Sequence, residues 1–239
     1  MIGVIANVIA VVLGSAIGLL FKKGIPKKVS DGIMTGIGLC IICIGIKGVF
    51  DGDNILVTII SIVLGSVVGF LLDIDKRLND FGEFIQNKFK KKEDSNVSIA
   101  EGFVTASLLF CVGSMTVVGS LNAGINKDYE VLLTKSVIDF IAAIMLSVSL
   151  GIGVMFSSIF VLVLQGGMVL LAGVLAEPLM ASGAIGELNC AGSLLIIGLG
   201  MNLMKVAKVK VANYLPALIF VPFVTYLFNW LAQIGVLNF

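Results

Sequence analysis

The sequence predicts an all-α, polytopic membrane bundle of about eight transmembrane segments, and three observations carry that expectation. Of 239 residues, 58% are hydrophobic and 13% charged, with a mean hydropathy of +1.11; an ordinary soluble domain is roughly a quarter charged. The apolar residues fall in runs of about twenty, the length that crosses a bilayer as a helix. The basic residues collect in alternate connections between those runs. No stretch between the runs is long enough to fold alone, so residues 1–239 read as a single transmembrane domain.

The first run, 2–21, lacks a basic leader and a cleavage signature, and is expected to be a first span and not a signal peptide. With the second run, 31–50, it forms an N-terminal hairpin over 1–53. The third run, 54–72, repeats the first: VLGSAIGLL at 12–20 returns as VLGSVVGFL at 63–71. The spacings Gly14-x-x-x-Gly18 and Gly65-x-x-x-Gly69 admit close helix approach. That approach serves packing within the chain or a homo-oligomer contact.

A linker at 73–99 follows. Within it, DKRLNDFGEFIQNKFKKKED (75–94) sets Leu78, Phe81, Ile85 and Phe89 at helical spacing on a charged background. This reads as an amphipathic helix on the cytoplasmic surface, with Lys88 to Lys92 facing anionic headgroups. Runs at 100–121 and 131–150 complete a first triplet over 54–151. Runs at 153–176, 188–204 and 209–236 make a second triplet over 152–239.

Lysine and arginine orient the spans. The loop 22–30 carries Lys22, Lys23, Lys27 and Lys28, and the linker carries Lys76, Arg77, Lys88, Lys90, Lys91 and Lys92. Lys205, Lys208 and Lys210 surround the seventh-to-eighth connection. With eight spans these thirteen share one side, leaving Lys47, Lys127 and Lys135 towards the other. The basic side is expected to be cytoplasmic, with both termini outside.

A second pair of matches joins the triplets. CVGSMTVVG (111–119) returns as CAGSLLIIG (190–198), and DFIAAIM (139–145) aligns with NYLPALI (213–219). The matched spans run in opposite directions, as an inverted-topology duplication of spans three to five and six to eight requires. Gly-Ser steps at Gly113–Ser114 and Gly192–Ser193 are expected to break the fourth and seventh helices. Broken helices at matching positions mark transporter sites. The alternative at each step is small-residue packing, with serine bonding back one turn.

The candidate site follows from polar residues inside apolar runs. A carboxylate such as Asp139 costs on the order of 2.5–3.5 kcal/mol at mid-bilayer, so it needs a partner or a cavity. It is expected either to bind a cation or proton with Asn213 and the hydroxyls of Ser114, Thr116 and Ser193, or to pair with Lys135 one turn earlier. Gln165 beside Gly166 and Gly167, and Asn202 after Gly198 and Gly200, are further candidates. Pro216 frees a carbonyl near Asn213, and carbonyl and amide oxygens are hard-cation ligands.

Other chemistry is excluded or weakened. There is no histidine among the 239 residues, so the commonest general base and metal ligand is absent, and no enzyme is expected. Cys40, Cys43, Cys111 and Cys190 all lie in apolar runs, where thiolate chemistry is disfavoured. The net charge of +1 gives no reason for a nucleic-acid partner.

Taken jointly, VIANVIAVVLGSAIGLL, FCVGSMTVVGSLNAG, KSVIDF and NYLPAL resemble the YqgA/YdfK-like family of bacterial inner-membrane proteins (DUF554). The resemblance spans the whole chain. It implies a bacterial plasma-membrane location and carries over no activity or catalytic residue. The residues themselves favour a secondary transporter of a small solute or ion, coupled to a cation or proton. The alternatives are an oligomeric channel, or a scaffold or signalling partner without transport. Expected partners are the lipid bilayer and the solute; no cofactor is expected beyond a bound monovalent cation.

Overall fold

A helix in lipid satisfies its own backbone, so apolar runs of this length fold as helices wherever no glycine, proline or polar side chain offers an alternative. The computed structural model describes residues 1–22, 27–78, 80, 99–111 and 114–234. Helices α1 (Ile2–Lys22), α2 (Lys27–Val49) and α3 (Ile55–Leu72) come first. Next are α4 (Ile99–Cys111), α5 (Ser114–Ile125), α6 (Glu130–Leu150), α7 (Gly153–Leu170) and α8 (Ala172–Ala181). Then come α9 (Ala184–Leu203), a 3-10 turn at Val211–Tyr214 and α10 (Ala217–Gln233). No strand occurs among the described residues. Seven helices are long and apolar enough to cross a membrane. The pair α4–α5, bent by 60°, makes an eighth if taken as one span.

Helix ends follow from local chemistry. The Asn54 side chain accepts from the Leu56 N–H and opens α3. Asp73 closes it in the left-handed conformation (φ 45°), and Arg77 Nε donates to the Leu72 carbonyl at 2.8 Å. Gly151, at φ 77°, turns the chain between α6 and α7.

Three glycine seams hold the bundle together. A Cβ at Gly14 or Gly18 of α1 would lie 2.5 Å from the Phe140 carbonyl oxygen or 2.4 Å from that of Ile144, on α6. A Cβ at Gly65 or Gly69 of α3 would strike the backbone of Ala217 or Asn213. The glycines of both Gly-x-x-x-Gly faces are therefore packed from within the chain. The third seam joins α2 to α9, where Gly38 meets Gly200 and Gly45 and Gly48 meet Ser193. Phe110, Leu146, Leu150, Val154 and Val161 pack the centre between α4, α6 and α7. Ile5, Ile9 and Leu13 of α1 and Val137 and Ile141 of α6 stay exposed, as lipid-facing positions of a membrane bundle do.

The structure corrects the expected breaks. The fourth span does bend, but the seventh does not: α9 runs unbroken from Ala184 to Leu203 through Gly192 and Ser193. Ser193 packs against α2 at the glycine seam, so small size here permits close approach without unwinding. The interruption in the C-terminal half falls later. After Leu203 the chain leaves the helix, makes the short turn at Val211–Tyr214 and resumes at Ala217 behind Pro216. Two symmetric breaks are thus absent, and an inverted repeat does not emerge from the helix boundaries. Of the amphipathic segment 75–94, residues 79 and 81–94 lie outside the described residues.

The loops separate as the charge pattern expects. Lys205 meets Asp31 at 3.1 Å and Lys210 meets Asp73 at 3.8 Å, so the connections after α1, α3 and α9 share one end. At the opposite end the 51–54 turn meets the start of α9. The Glu187 carboxylate accepts from the Asn54 N–H at 2.6 Å and from the Thr58 hydroxyl at 3.1 Å.

Candidate functional site

A buried polar cluster forms midway along the bundle, where three helices each bring a polar side chain inward. On α6, Lys135 and Asp139 lie one turn apart and their charged groups are in direct contact. Both are almost wholly buried, 6% and 4% exposed, so neither charge is relieved by solvent. On α1, the amide of Asn7 donates to Asp139 Oδ2 at 3.0 Å and to Gln165 Oε1 of α7 at 3.2 Å. Asn7 and Gln165 are fully buried.

The cluster is not closed on itself. Asn7 Oδ1 and Gln165 Nε2 are buried and have no hydrogen-bond partner among the described residues. Reversing either amide would set like groups against each other at the Asn7–Gln165 contact, so the orientations are fixed by their partners. One acceptor and one donor are left over, and each such buried group costs roughly 1–3 kcal/mol when unmet.

The bend in the fourth span lies beside this cluster. Cys111, the last residue of α4, is buried, and α4 packs against α6, the helix that carries Lys135 and Asp139. Across the bend, the Thr116 hydroxyl of α5 donates to the Phe110 carbonyl at 3.1 Å. Thr116 is fully buried, and this bond ties the two sides of the bend together. Ser114 opens α5, with its side chain outside the described residues, and Gly113 lies outside them too.

The expected constellation is therefore half assembled. Asp139, the bend of span four and Gln165 come together. Asn213 does not join them: its side-chain oxygen accepts from the Asp75 N–H at 2.7 Å, at the basic end of the bundle. Nor does Asn202, whose amide donates to the Val209 carbonyl at 2.7 Å and accepts from the Val209 N–H at 2.8 Å. It clips the loop after α9. Gly192 and Ser193 belong to the α2–α9 seam. The pairing of Asp139 with Lys135, the alternative the i,i+4 spacing offered, is present.

Two residues were passed over. Asn7 is the lone amide in the first run, VIANVIAVV, and that solitary polarity was its signal. Glu187 is 3% exposed and sits just ahead of the expected start of span seven. There its carboxylate faces the N-terminus of α3, where a helix favours negative charge. That makes it an element of structure.

At the basic end, Asp75 lies outside the spans. Burial raises its carboxyl from the ordinary value, with Lys210 pulling it down and Asp73 pushing it up.

Comparison with known proteins agrees with the resemblance read from the motifs. The family described as Protein of unknown function (DUF554) matches residues 2–226. An uncharacterized membrane protein of Bacillus subtilis (strain 168), YdfK, is 31% identical over 233 residues, covering 96% of this chain and 97% of that protein. An uncharacterized protein of Escherichia coli (strain K12), YqgA, is 29% identical over 220 residues, covering 91% and 93%. No solved structure matches the chain with significance.

Proposed function

The chain belongs to the DUF554 family, and from that premise we propose that it is a secondary transporter of a small solute or ion, coupled to a cation or proton. One observation carries the reading: a buried Lys135–Asp139 pair, bridged by Asn7, with a buried donor and acceptor left over. Ionisable residues inside a membrane are costly and usually functional. A purely structural pair would need no further polar groups from two other helices.

The chemistry of coupling follows from the contacts. Lys135 neutralises Asp139, and Asn7 steadies the carboxylate. A proton arriving on Asp139, or a monovalent cation held by Asp139 and Asn7 Oδ1, competes with the Lys135 ammonium. Lys135 is then released from its partner. The bend between α4 and α5 supports motion at this depth, because a helix already interrupted changes angle without breaking further backbone bonds. The positive-inside pattern supports a cytoplasmic basic end with the termini outside, and the family resemblance supports a bacterial inner membrane. The inverted-repeat element of this reading rests on the two sequence matches alone.

Reconstitution tests it. Proteoliposomes with an imposed proton or sodium gradient are to be offered a pool of labelled small metabolites. Gradient-dependent uptake is expected, and Asp139→Asn should abolish it while the protein stays monodisperse. Unaltered uptake by that variant would sink the assignment, and single-channel currents in planar bilayers would replace it with a pore.

A further inference from the structure

The interrupted C-terminal half leaves a hollow. Helix α9 ends at Leu203, and Lys205 takes the left-handed conformation (φ 60°). Helix does not resume until Ala217 beyond the short turn. The Asn202 side chain bonds the Val209 main chain in both directions and fixes the loop as a wall. Space that a continuous helix would fill remains open against the first turns of α4, as a cavity of about 350 Å³. That lies within the range of small-molecule sites, roughly 300–1,000 Å³. None of Asn7, Lys135, Asp139 and Gln165 lines it, so it is separate from the mid-span cluster.

Its lining is chemically mixed. Val104, Leu199 and Val211 supply an apolar wall. The carboxylates of Glu101 and Asp75 and the ammonium groups of Lys208 and Lys210 supply both signs of charge. Lys210 reaches Asp73. Glu101 and Lys208 make no hydrogen bond or ion pair with a described residue. Thr105, one turn beyond Glu101 on α4, also lines the cavity, and its hydroxyl is fully buried with no partner among the described residues.

A lining of lysines alone would suit an anion, and carboxylates alone a cation. Both signs beside an apolar wall suit a molecule bearing an ammonium, a carboxylate and an apolar group within a few bonds of one another. The unmet Thr105 hydroxyl, buried behind the inner face of the cavity, adds a polar group to that wall. We propose that this cavity is a binding site for a small zwitterion of the amino-acid class, held at its ammonium by Glu101 and at its carboxylate by Lys208. The site goes beyond the transport reading: equilibrium binding here is expected whether or not the chain moves its ligand across a bilayer.

The test is equilibrium binding to the purified full-length protein in nanodiscs. The standard L-amino acids are screened first. The tightest binder is then compared with its decarboxylated amine and its deaminated acid; for leucine these are isoamylamine and 4-methylpentanoate. At least one amino acid should bind, and each truncated analogue should bind about ten-fold or more weakly, the loss of one charge-assisted contact. Glu101→Gln and Lys208→Gln should each weaken binding by a similar factor, and Thr105→Val should weaken it less. Lys47→Gln, at the opposite end, should leave it unchanged. Melting temperatures of the Glu101 and Lys208 variants should match the parent. The proposal is overturned if no amino acid binds at millimolar concentration. It is equally overturned if amine or acid binds as well as the zwitterion, or if binding survives the Glu101→Gln/Lys208→Gln double variant.

Discussion

The side-chain amide of Asn7 on α1 donates to Asp139 Oδ2 on α6 at 3.0 Å, across 132 residues of sequence. The bond joins the two helices of the first glycine seam at a point where no solvent reaches. It gives the Asp139 carboxylate a second partner besides Lys135, and through Gln165 it ties α7 to the same centre. Asn7→Leu should therefore lower stability by about 1–2 kcal/mol, the worth of a hydrogen bond between membrane helices. Unfolding of the variant in mixed micelles measures it; a variant as stable as the parent would mean that the amide bonds contribute nothing.

The Lys135–Asp139 pair predicts strong non-additivity. Removing one buried partner leaves an uncompensated charge, at a cost of about 3–5 kcal/mol, whereas removing both is often close to neutral. Lys135→Met and Asp139→Leu are each expected to destabilise to that extent, and the double variant to recover most of the loss. A double-mutant cycle reads the coupling, and additive losses would refute the pairing as the dominant interaction.

The glycine seam makes a positional prediction. Gly18→Ala would set a methyl group 2.4 Å from the Ile144 carbonyl oxygen, so α1 and α6 must part. Overpacking of this kind costs about 1–3 kcal/mol. Gly36→Ala meets nothing within 4 Å and gains helix propensity, so it should be neutral or slightly stabilising. Equal melting temperatures for the two variants would argue against the seam.

Asn202→Ala removes both bonds to the Val209 main chain. Two main-chain groups lose their partner, and a loss of about 1–3 kcal/mol is expected, confined to the loop after α9. Limited proteolysis should show faster cleavage between Lys205 and Lys210 with the rest of the bundle intact. A cleavage pattern like the parent's would show that the clip does not hold the loop.

Asp75 gives a pH dependence with a definite sign. Burial raises its carboxyl above the usual value, so the folded protein holds that proton more tightly than the unfolded chain. Its contribution favours folding in acid and is lost as pH rises through the raised value. Asp75→Asn should therefore match the parent near the bottom of the carboxylate range and become the more stable of the two towards neutrality. Melting curves across that range decide it, and a parent more stable than the variant at neutral pH would reverse the reading.

Much of the site was legible because its signals are local. An acid and a lysine one turn apart in an apolar run announce a helix-face pair, and FCVGSMTVVGS announces a bend. The link between them was not legible, because Asn7 meets Asp139 only when α1 and α6 pack face to face. The match of Asp139 with Asn213 misled for the same reason. Aligned sequences place both at similar helical positions, but Asp139 is enclosed midway between α1 and α7 whereas Asn213 is turned to the Asp75 backbone. Likewise Gly192 and Ser193 carry the same letters as the bend in span four. There is a packed neighbour on α2 that rewards an unbroken helix.

By itself the sequence determined the class of protein, the helical spans and the gathering of basic loops at one end. Those depend on composition and on run length, which lipid imposes on any chain. It also offered the Lys135–Asp139 pair as one of two readings, since helix geometry sets one residue above the other. Only the tertiary structure decided which Gly-Ser step bends, what the glycine faces pack against and where Asn202 and Asn213 spend their hydrogen bonds. Those outcomes turn on which helices become neighbours. In an apolar chain many pairings bury similar surface, and close backbone fit and the satisfaction of a few polar groups select among them.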